Sequence, residues 1–238
     1  MRSLIILLII GIAASGWAAN KYLGGLAEDE SGIIRREFET RVSMLESKAR
    51  SGNIHSQYKL ARLYTTAHEL VADPVLAAQW MERAATKGHV KSQYYFGQML
   101  ERGMGLRRDL KNAILWYERA ARNGDGDALY ALGRMYNTGV GVGHDTIKAV
   151  EYYRQAAQNN QPAAQYQVGR MYETGWGVQV DMIQAYFWYS LSERHRAQAL
   201  KFDPKNDPRE ALQRIDKLLN NSQRDFGEKL LKNWPASP

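Results

Sequence analysis

The sequence predicts an all-α fold, an α/α superhelix (solenoid) of four 36-residue helix-turn-helix repeats with helical caps. Three observations lead to this prediction. The segments SQYKLARLY, SQYYFGQML, ALYALGRMY and AQYQVGRMY recur at an offset of 36 residues without a gap. Their apolar residues are spaced at helical rather than strand intervals. Helices of about 13 residues are marginal alone in water, so each pair must stack on its neighbours.

The first helix of each repeat, the A helix, is predicted to begin about two residues before a recurring tyrosine. Apolar side chains such as Leu60, Leu63 and Tyr64 then form one stripe, which predicts the face that packs into the core. Three residues after the tyrosine stands a small residue. These aligned positions are Tyr58, Tyr94, Tyr130 and Tyr166 for the tyrosine, and Ala61, Gly97, Gly133 and Gly169 for the small residue.

The second helix, the B helix, is predicted to begin at a recurring aspartate, because an Asp side chain accepts a hydrogen bond from a free backbone N–H at a helix start. In the first repeat Pro74 suits the first helical position, and Ala77, Trp80 and Met81 continue one apolar stripe. The aligned aspartates are Asp73, Asp109, Asp145 and Asp181. The B helices are predicted to end at Gly52, Gly88, Gly124 and Asn160, types that tolerate a left-handed conformation.

The loop between the two helices contains the segment GVGVG in the third repeat, which has some likeness to a phosphate-binding loop. A dinucleotide-binding loop requires Gly-x-Gly-x-x-Gly between a strand and a helix, but His144 occupies the third glycine position. Gly139 and Gly141 align with glycine pairs in the second and fourth repeats. We therefore predict a turn that needs positive φ. The first repeat has TTAHELVAD instead, so a remodelled turn is expected there.

The repeats are predicted to fill residues 52–195, between a linker with an N-terminal capping helix at 21–51 and a linker with C-terminal capping helices at 196–238. The segment REFETRVSMLESKARSG matches a lone B helix. At the other end, DPREALQRIDKLL and SQRDFGEKLLKNW predict two closing helices, with KFDPKND as a polar linker before them. Ser222 with Asp225 resembles a capping box, Asn220 suits the helix cap, and Phe226, Leu230 and Trp234 share a stripe.

The N-terminal residues 1–20 predict export. An apolar run without charge follows Arg2 and ends before Lys21, and its length lies between that of a secretory signal and that of a membrane span. Two alternatives remain open. Cleavage near Ala18 would release a periplasmic protein, whereas retention of residues 3–19, flanked by Trp17, would anchor it in the inner membrane. In both cases Arg2 stays on the cytoplasmic side.

The motifs AQYxxGxxY, GxGVxxD and A...WY..AA, present in several of the four copies, resemble those of the Sel-one-like repeat family, a subclass of tetratricopeptide-like solenoids. The resemblance covers roughly residues 52 to 195. It implies a right-handed superhelix that serves as an adaptor for protein complexes, often in bacterial envelopes. The function that follows is a non-catalytic scaffold of the cell envelope that binds a partner polypeptide in the concave groove. The paired cysteines of some secreted relatives are absent from this chain.

Composition narrows the function classes. The chain has no cysteine, which excludes disulfides, thiolate metal sites and cysteine nucleophiles. The net charge is +7, but basic residues cluster only at 89–124, with seven Lys or Arg against three Asp or Glu, so no nucleic-acid partner is predicted. The five histidines lack metal-binding spacing. We predict no metal and no cofactor. For the basic loop 102–111 two alternatives stay open: it is solvated, or it contacts anionic lipid or an acidic segment of a partner.

Function is predicted to lie on A-helix positions that stacking does not require, because the A helices of such solenoids line the concave face. Arginine recurs there, and its planar fork suits carboxylates. The predicted partner is therefore an acidic or extended peptide. The candidate partner-binding residues are Lys59, Arg62, Tyr95, Gln98, Glu101, Arg134, Asn137, Gln167, Arg170 and Glu173.

Two other functions remain as alternatives. A binder of peptidoglycan or another glycan would use groove aromatics such as Tyr95, since sugars stack on exposed rings. A hydrolase acting on cell-wall material would need a carboxylate pair across the groove, and Glu101 and Glu173 occupy equivalent repeat positions. We predict no catalytic residue, because no nucleophile motif or isolated carboxylate pair stands out.

Overall fold

The computed structural model describes residues 40–66 and 72–234. All regular secondary structure in these two ranges is helical, which confirms the predicted all-α repeat fold. The predicted signal or anchor at residues 1–20, the linker to residue 39 and most of the first inter-helix loop lie outside the described residues. Among the residues that are described, no helix is long and apolar enough to cross a bilayer.

The helices follow one another in A and B pairs. A lone helix, α1, covers 40–50 and precedes the repeats. The A helices are α2 (Ile54–Thr66), α4 (Val90–Arg102), α6 (Gly126–Thr138) and α8 (Pro162–Thr174). The B helices are α3 (Pro74–Thr86), α5 (Leu110–Arg122), α7 (Thr146–Gln158) and α9 (Met182–Arg194). Three further helices close the chain: α10 (Arg196–Phe202), α11 (Pro208–Asp216) and α12 (Asn221–Asn233).

The chain divides into two compact units, unit 1 (Met1–Trp116) and unit 2 (Tyr117–Pro238), with the division inside α5. In unit 1, α3 packs against both α2 and α4. In unit 2, α8 packs between α7 and α9, and α9 also contacts α11 and α12. In both units, helices that follow one another in the chain pack together in these pairs.

The recurring aspartates cap the B helices as predicted. The carboxylate of Asp73 accepts hydrogen bonds from the backbone N–H groups of Val75 and Leu76 at 3.0 and 2.9 Å. The backbone N–H of Asp73 also donates to the carbonyl of Tyr64 at 3.2 Å. The same two kinds of bond recur at the later aspartates. The first repeat therefore closes its turn in the same way, although it lacks the glycine loop.

A second capping position, which the sequence analysis did not identify, begins each A helix. Its side chain accepts a hydrogen bond from the backbone N–H three residues later, over 2.6–3.2 Å. Four different residue types fill this position, which is why alignment did not single it out. They are Asn53, His89, Asp125 and Gln161.

Glycine serves two structural purposes in the repeat. The predicted ends of the B helices have positive φ, from 57° at Asn160 to 97° at Gly52, and Gly139 and Gly141 in the GVGVG loop have φ of 72° and 78°. On the A helices, glycine provides space instead. A Cβ at Gly133 would lie 2.8 Å from the ring of Tyr153, so the two helices approach too closely for alanine.

In three of the four repeats a buried glutamine joins the A helix to the helix that precedes it. The amide of Gln57 donates to the carbonyl of Ala49 at 3.0 Å. Gln93 and Gln165 repeat this bond, to Ala85 and Ala157, both at 3.3 Å. These carbonyls lie in the last turn of the preceding B helix, where backbone acceptors have no partner within the helix. Each of these carbonyls also accepts a backbone N–H from the turn that follows its helix, so the glutamine adds a second hydrogen bond that ties the two helices together.

The C-terminal region departs from the sequence prediction at three points. The segment RAQALKF forms α10, so the helical part begins before the predicted closing helices. The capping box predicted for Ser222 is wrong: Asn220 and Gln223 form it, with bonds of 3.0 and 2.9 Å. Phe226 is 52% exposed and does not continue the buried stripe. The two predicted closing helices are otherwise present as α11 and α12.

Candidate functional site

The A helices of unit 1 carry a cluster of aromatic rings. The ring of Tyr58, on α2, lies 4.6 Å from that of His89 and 6.1 Å from that of Tyr95, measured between centroids. The ring of His55 is 6.3 Å from that of His89. His55 is exposed, and the other three are part-exposed. We call His55, Tyr58, Lys59, Arg62, Tyr95 and Gln98 the A-helix face of unit 1.

The guanidinium group of Arg62 lies over the ring of Tyr95, 4.4 Å from its centroid, and also hydrogen-bonds Tyr58. Burial and the neighbouring Tyr95 raise the pKa of Tyr58, while Arg62 opposes the rise. Gln98 donates to the hydroxyl of Tyr94 at 3.3 Å. Two of the predicted binding residues, Arg62 and Tyr95, are therefore joined in one cation–π contact.

The other predicted residues of unit 1 are Lys59, which is exposed on α2, and Glu101, which is half-buried near the end of α4. The backbone carbonyl of Glu101 accepts a hydrogen bond from the Nε of Arg108 at 2.9 Å. This bond ties the basic loop 102–111 back onto α4. Arg102 and Arg107 in the same loop are exposed.

In unit 2, two predicted binding residues hydrogen-bond tyrosine hydroxyls of the repeats. Gln167 hydrogen-bonds Tyr130, and Asn137 hydrogen-bonds Tyr153. Burial is the main reason that the pKa values of both tyrosines are raised. These two amide side chains therefore lie against tyrosines of the repeat and are part-exposed. Together with Arg134, Arg170 and Glu173 they form the A-helix face of unit 2.

Glu173 has three hydrogen bonds from side chains. Arg214, on α11, donates from Nε to Oε1 at 2.6 Å and from Nη2 to Oε2 at 2.9 Å. Tyr189 donates its hydroxyl to Oε2 at 2.6 Å. The hydrogen bonds from Arg214, and to a lesser extent the one from Tyr189, hold the pKa of Glu173 below its ordinary value. A general acid needs the opposite shift, so this carboxylate has the environment of a structural ion pair.

The remaining predicted residues of unit 2 are Arg134, which is half-buried on α6, and Arg170, which is exposed on α8. Near them the chain's own C-terminal segment reaches the A helices. The ring of Phe202 meets that of Tyr130 edge to face, with centroids 5.2 Å apart. Part of the A-helix face of unit 2 is thus covered by a segment that the sequence analysis treated as a linker.

Unit 2 also has an open cavity of about 450 Å³ between α5, α6 and α7. The rings of Tyr136 and Tyr152 stack at its edge, 5.5 Å apart, and the Nζ of Lys148 lies 5.2 Å from the Tyr136 centroid. Its charged lining residues are of both signs. No predicted site residue lines it.

Three members of the unit 1 cluster were not predicted from the sequence. Tyr58 was assigned to the repeat framework, and His55 and His89 were set aside because the histidines lack metal-binding spacing. The structure brings the two imidazoles together because His89 begins the A helix next to the one that carries His55. Over residues 40–66 and 72–234, no group of three or more His, Asp or Glu side chains is arranged to hold a metal ion.

Comparison with known proteins agrees with this architecture. The family model described as Sel1 repeat matches residues 54–89, 90–125, 126–161 and 162–194. Comparison with curated proteins gives no match. The structure is similar to that of c5321, a protective antigen of uropathogenic Escherichia coli displaying an SLR fold, with 33% identity and a TM-score of 0.61. That match covers 65% of this chain and 33% of the antigen, so the chain spans about a third of the antigen's length.

A second similar structure is a Sel1 repeat protein from Oxalobacter formigenes, with 21% identity and a TM-score of 0.65. The match covers 94% of this chain and 76% of the other, and at this identity it supports the fold alone. Four consecutive family matches account for more than half of the chain. With helix pairs that repeat at the same spacing, the chain belongs to the Sel1 repeat family, whose members are generally protein-interaction scaffolds.

Proposed function

We propose that this protein is a non-catalytic scaffold of the bacterial cell envelope that binds a partner polypeptide through the A-helix faces of its repeats. The general role of Sel1 repeats in protein interaction supports the scaffold. The apolar run at residues 3–19 supports export to the periplasm. The protein is either anchored in the inner membrane by that run or released after cleavage near Ala18.

The observation that carries the binding site is the recurrence of arginine at one A-helix position, occupied by Arg62, Arg134 and Arg170. A guanidinium fork binds a carboxylate through two parallel hydrogen bonds. The exposed side chains of Lys59 and Arg170 add positive charge within reach of solvent. An acidic or extended segment of a partner polypeptide is the ligand that suits these faces.

In-cell photo-crosslinking tests this proposal. A photoreactive amino acid would replace Lys59 in one strain and Arg170 in another, with Ile147 as the matched control because it is 81% exposed on a B helix. We expect a discrete polypeptide to be captured from positions 59 and 170 and not from 147. Capture from all three positions alike, or from none, would contradict the binding face.

A charge reversal tests the arginines directly. The double substitution Arg134→Glu and Arg170→Glu should abolish partner capture, because an acidic segment would then face two carboxylates. The helical circular dichroism should stay unchanged, since Arg170 is exposed and Arg134 is half-buried at the surface. Retained capture with both reversals would remove these arginines from the binding face.

Fractionation tests the location. We expect the protein in the membrane fraction if residues 3–19 are retained, or in the periplasm with a new N-terminus near Ala19 if they are cleaved. Extraction of membranes at alkaline pH followed by N-terminal sequencing separates the two results. Recovery of the full chain from the cytosol would contradict export.

The two alternative functions receive less support from the side-chain contacts. One face of the Tyr95 ring, which a sugar would need for stacking, carries the Arg62 guanidinium group. Glu173, which a hydrolase would need, is held as an ion pair with Arg214. Co-sedimentation with purified sacculi tests the first alternative, and a cell-wall hydrolysis assay with Glu101→Gln and Glu173→Gln tests the second.

A further inference from the structure

In unit 2, the chain's own segment 196–203, which contains α10, packs against the A helices. We call this segment the internal ligand. Helix α10 packs against α8, and its last residue, Phe202, places its ring edge-on against Tyr130 with an interplanar angle of 75°. Phe202 is still 37% exposed, so it lies on the surface of the A helices and is not part of the deep core. An aromatic side chain from outside the repeats therefore binds at the recurring tyrosine.

The residue after this aromatic ring is an aspartate, and it is held in place. The carboxylate of Asp203 accepts hydrogen bonds from the backbone N–H of Lys205 at 3.0 Å and from the Asn206 amide at 2.8 Å. Burial raises the pKa values of Tyr130 and Tyr166, and the negative charge of Asp203 adds to both rises. The segment thus places an aromatic ring on the A helices of unit 2, followed by a carboxylate whose charge acts on Tyr130 and Tyr166.

The 36-residue repeat places equivalent positions on unit 1. Tyr130 aligns with Tyr58, and Arg134 aligns with Arg62. Around these two residues the rings of His89 and Tyr95 extend the aromatic surface of unit 1. The positions that receive the internal ligand in unit 2 are therefore repeated in unit 1, with a larger aromatic area.

The charges of the A helices differ between the units. In unit 1, α2 carries Lys59 and Arg62 without an acidic residue, and α4 carries two basic residues against Glu101. In unit 2, α6 and α8 each carry one basic and one acidic residue. Long-range attraction of a carboxylate is consequently stronger at unit 1 than at unit 2.

We propose that the A-helix face of unit 1 binds a partner segment in which an aromatic residue is followed by Asp or Glu, as Phe202 and Asp203 follow each other on unit 2. This inference rests on the proposed function, because the ligand is a polypeptide. The ring of the segment packs against Tyr58 and Tyr95, and its carboxylate pairs with Arg62, while Lys59 adds positive charge on the same helix. Arginine and aromatic residues are the side chains that most often dominate protein recognition.

The test uses the full-length protein and a labelled peptide, Ser-Ala-Leu-Ala-Phe-Asp-Pro-Ser-Gly, in a fluorescence anisotropy titration. We expect saturable binding that becomes about tenfold weaker when the peptide Phe is replaced by Ala or its Asp by Asn. Arg62→Gln and Tyr95→Ala in the protein should weaken it similarly. The matched control is Arg83→Gln, which removes an arginine that lies over Trp80 on the B helix α3 and should not change the affinity.

A charge exchange makes the test independent of any loss of folding. Arg62→Glu should abolish binding of the original peptide and restore binding of a peptide with Lys in place of Asp. Equal affinity for the Asp and Asn peptides, or a loss that follows Arg134→Gln instead of Arg62→Gln, would overturn the inference. If the crosslinking experiment captures a partner but the peptide does not bind, this ligand class is overturned and the scaffold function stands. If the peptide binds but no partner is captured, only the scaffold function is contradicted.

Discussion

Arg214 and Glu173 form a two-pronged ion pair that joins the closing helix α11 to the last A helix, with N–O distances of 2.6 and 2.9 Å. The carboxylate also accepts the hydroxyl of Tyr189, which comes from the B helix of the same repeat. One carboxylate thus connects an A helix, a B helix and the C-terminal cap. This arrangement explains why a side chain predicted for partner binding lies in the framework of the fold.

Removal of this ion pair should destabilise the protein in a pH-dependent way. Arg214→Gln is expected to lower the free energy of unfolding by about 1 kcal/mol at pH 7, since the pair is bidentate but its arginine is half-exposed. The pKa of Glu173 is lowered in the folded state. The contribution of Glu173 to the free energy of unfolding is therefore full above the ordinary glutamate pKa of about 4.3. It is lost as the pH falls through the pKa of Glu173 in the folded protein.

Urea unfolding at pH 7 and pH 3 measures this effect. The difference in free energy of unfolding between wild type and Arg214→Gln should narrow at pH 3, because the Glu173 carboxylate is then increasingly protonated in the folded and in the unfolded protein. Arg83→Gln, on a B helix of unit 1, is the control and should show no comparable change with pH. An equal loss at both pH values would contradict the ion-pair explanation.

His89 should make the stability of unit 1 sensitive to mild acid. Its Nδ1 accepts the backbone N–H of Ser92 at 3.2 Å, and a protonated imidazole cannot accept there. Burial and the nearby His55 lower the pKa of His89, so the unfolded chain takes up this proton more readily. The stabilisation is full above the unfolded value of about 6.5 and is lost as the pH falls through the folded value.

The substitution His89→Asn tests this prediction, because Asn53 caps the preceding A helix with the same bond at 2.8 Å. We expect the variant to be more stable than wild type by about 1 kcal/mol at pH 5 and to differ little at pH 8. Thermal unfolding followed by circular dichroism at the two pH values measures the difference. The control His144→Asn replaces an exposed histidine. A constant difference between pH 5 and pH 8 would show that the cap does not titrate.

The contact between Gly133 and Tyr153 should appear as a coupling between two substitutions. A Cβ at position 133 would lie 2.8 Å from Cδ1 of the ring, so Gly133→Ala should lose about 1 kcal/mol even though alanine favours the helix. In the first repeat the equivalent positions hold Ala61 and Met81. Combining Gly133→Ala with Tyr153→Met should therefore relieve the clash.

A double-mutant cycle in urea measures this coupling, which we expect to be about 1 kcal/mol or more. The control is Gly143→Ala, where a Cβ would meet no atom within 4 Å. Additive effects of the substitutions at 133 and 153 would indicate that the helices move apart to accept the methyl group.

Trp234 should hold the last helix onto the repeats. Its ring lies 5.5 Å from Phe187 and 5.4 Å from Trp188, and its Nε1–H donates to Asn160 at 3.3 Å. Trp234→Ala is expected to lower the free energy of unfolding by about 2 kcal/mol, less than a fully buried tryptophan because the side chain is part-exposed. Phe226→Ala, on the same helix, should cost little because Phe226 is 52% exposed. Similar losses for both variants in urea unfolding would contradict this packing.

Local chemistry made much of the fold predictable. Asp145 and Gly139 act through the backbone of their own turn, so an aspartate that recurs in all four repeats and a glycine that recurs in three identified the helix starts and turns correctly. The cap at the start of the A helices was not predicted, because residues of different types, such as His89 and Gln161, each supply the acceptor atom. At the last helix the sequence offered both Asn220 and Ser222 as caps, and Asn220 forms the capping box with Gln223.

The candidate site was predictable only in part. The repeat correctly indicated that Arg62 and Tyr95 lie on neighbouring A helices, and the structure joins them. It did not distinguish side chains that hydrogen-bond internal tyrosines from those exposed to solvent. Gln167 and Asn137 are of the first kind, and Lys59 and Arg170 are of the second.

The sequence by itself determined the helix pairs, their spacing and their ends, because caps, glycine turns and apolar stripes depend on residues within one repeat. The tertiary structure alone decided which A-helix side chains are engaged within the protein. Arg214 is 41 residues from Glu173, and Trp234 is 74 residues from Asn160. No periodic pattern encodes such pairs, since the closing helices lie outside the repeat and reach it only through folding.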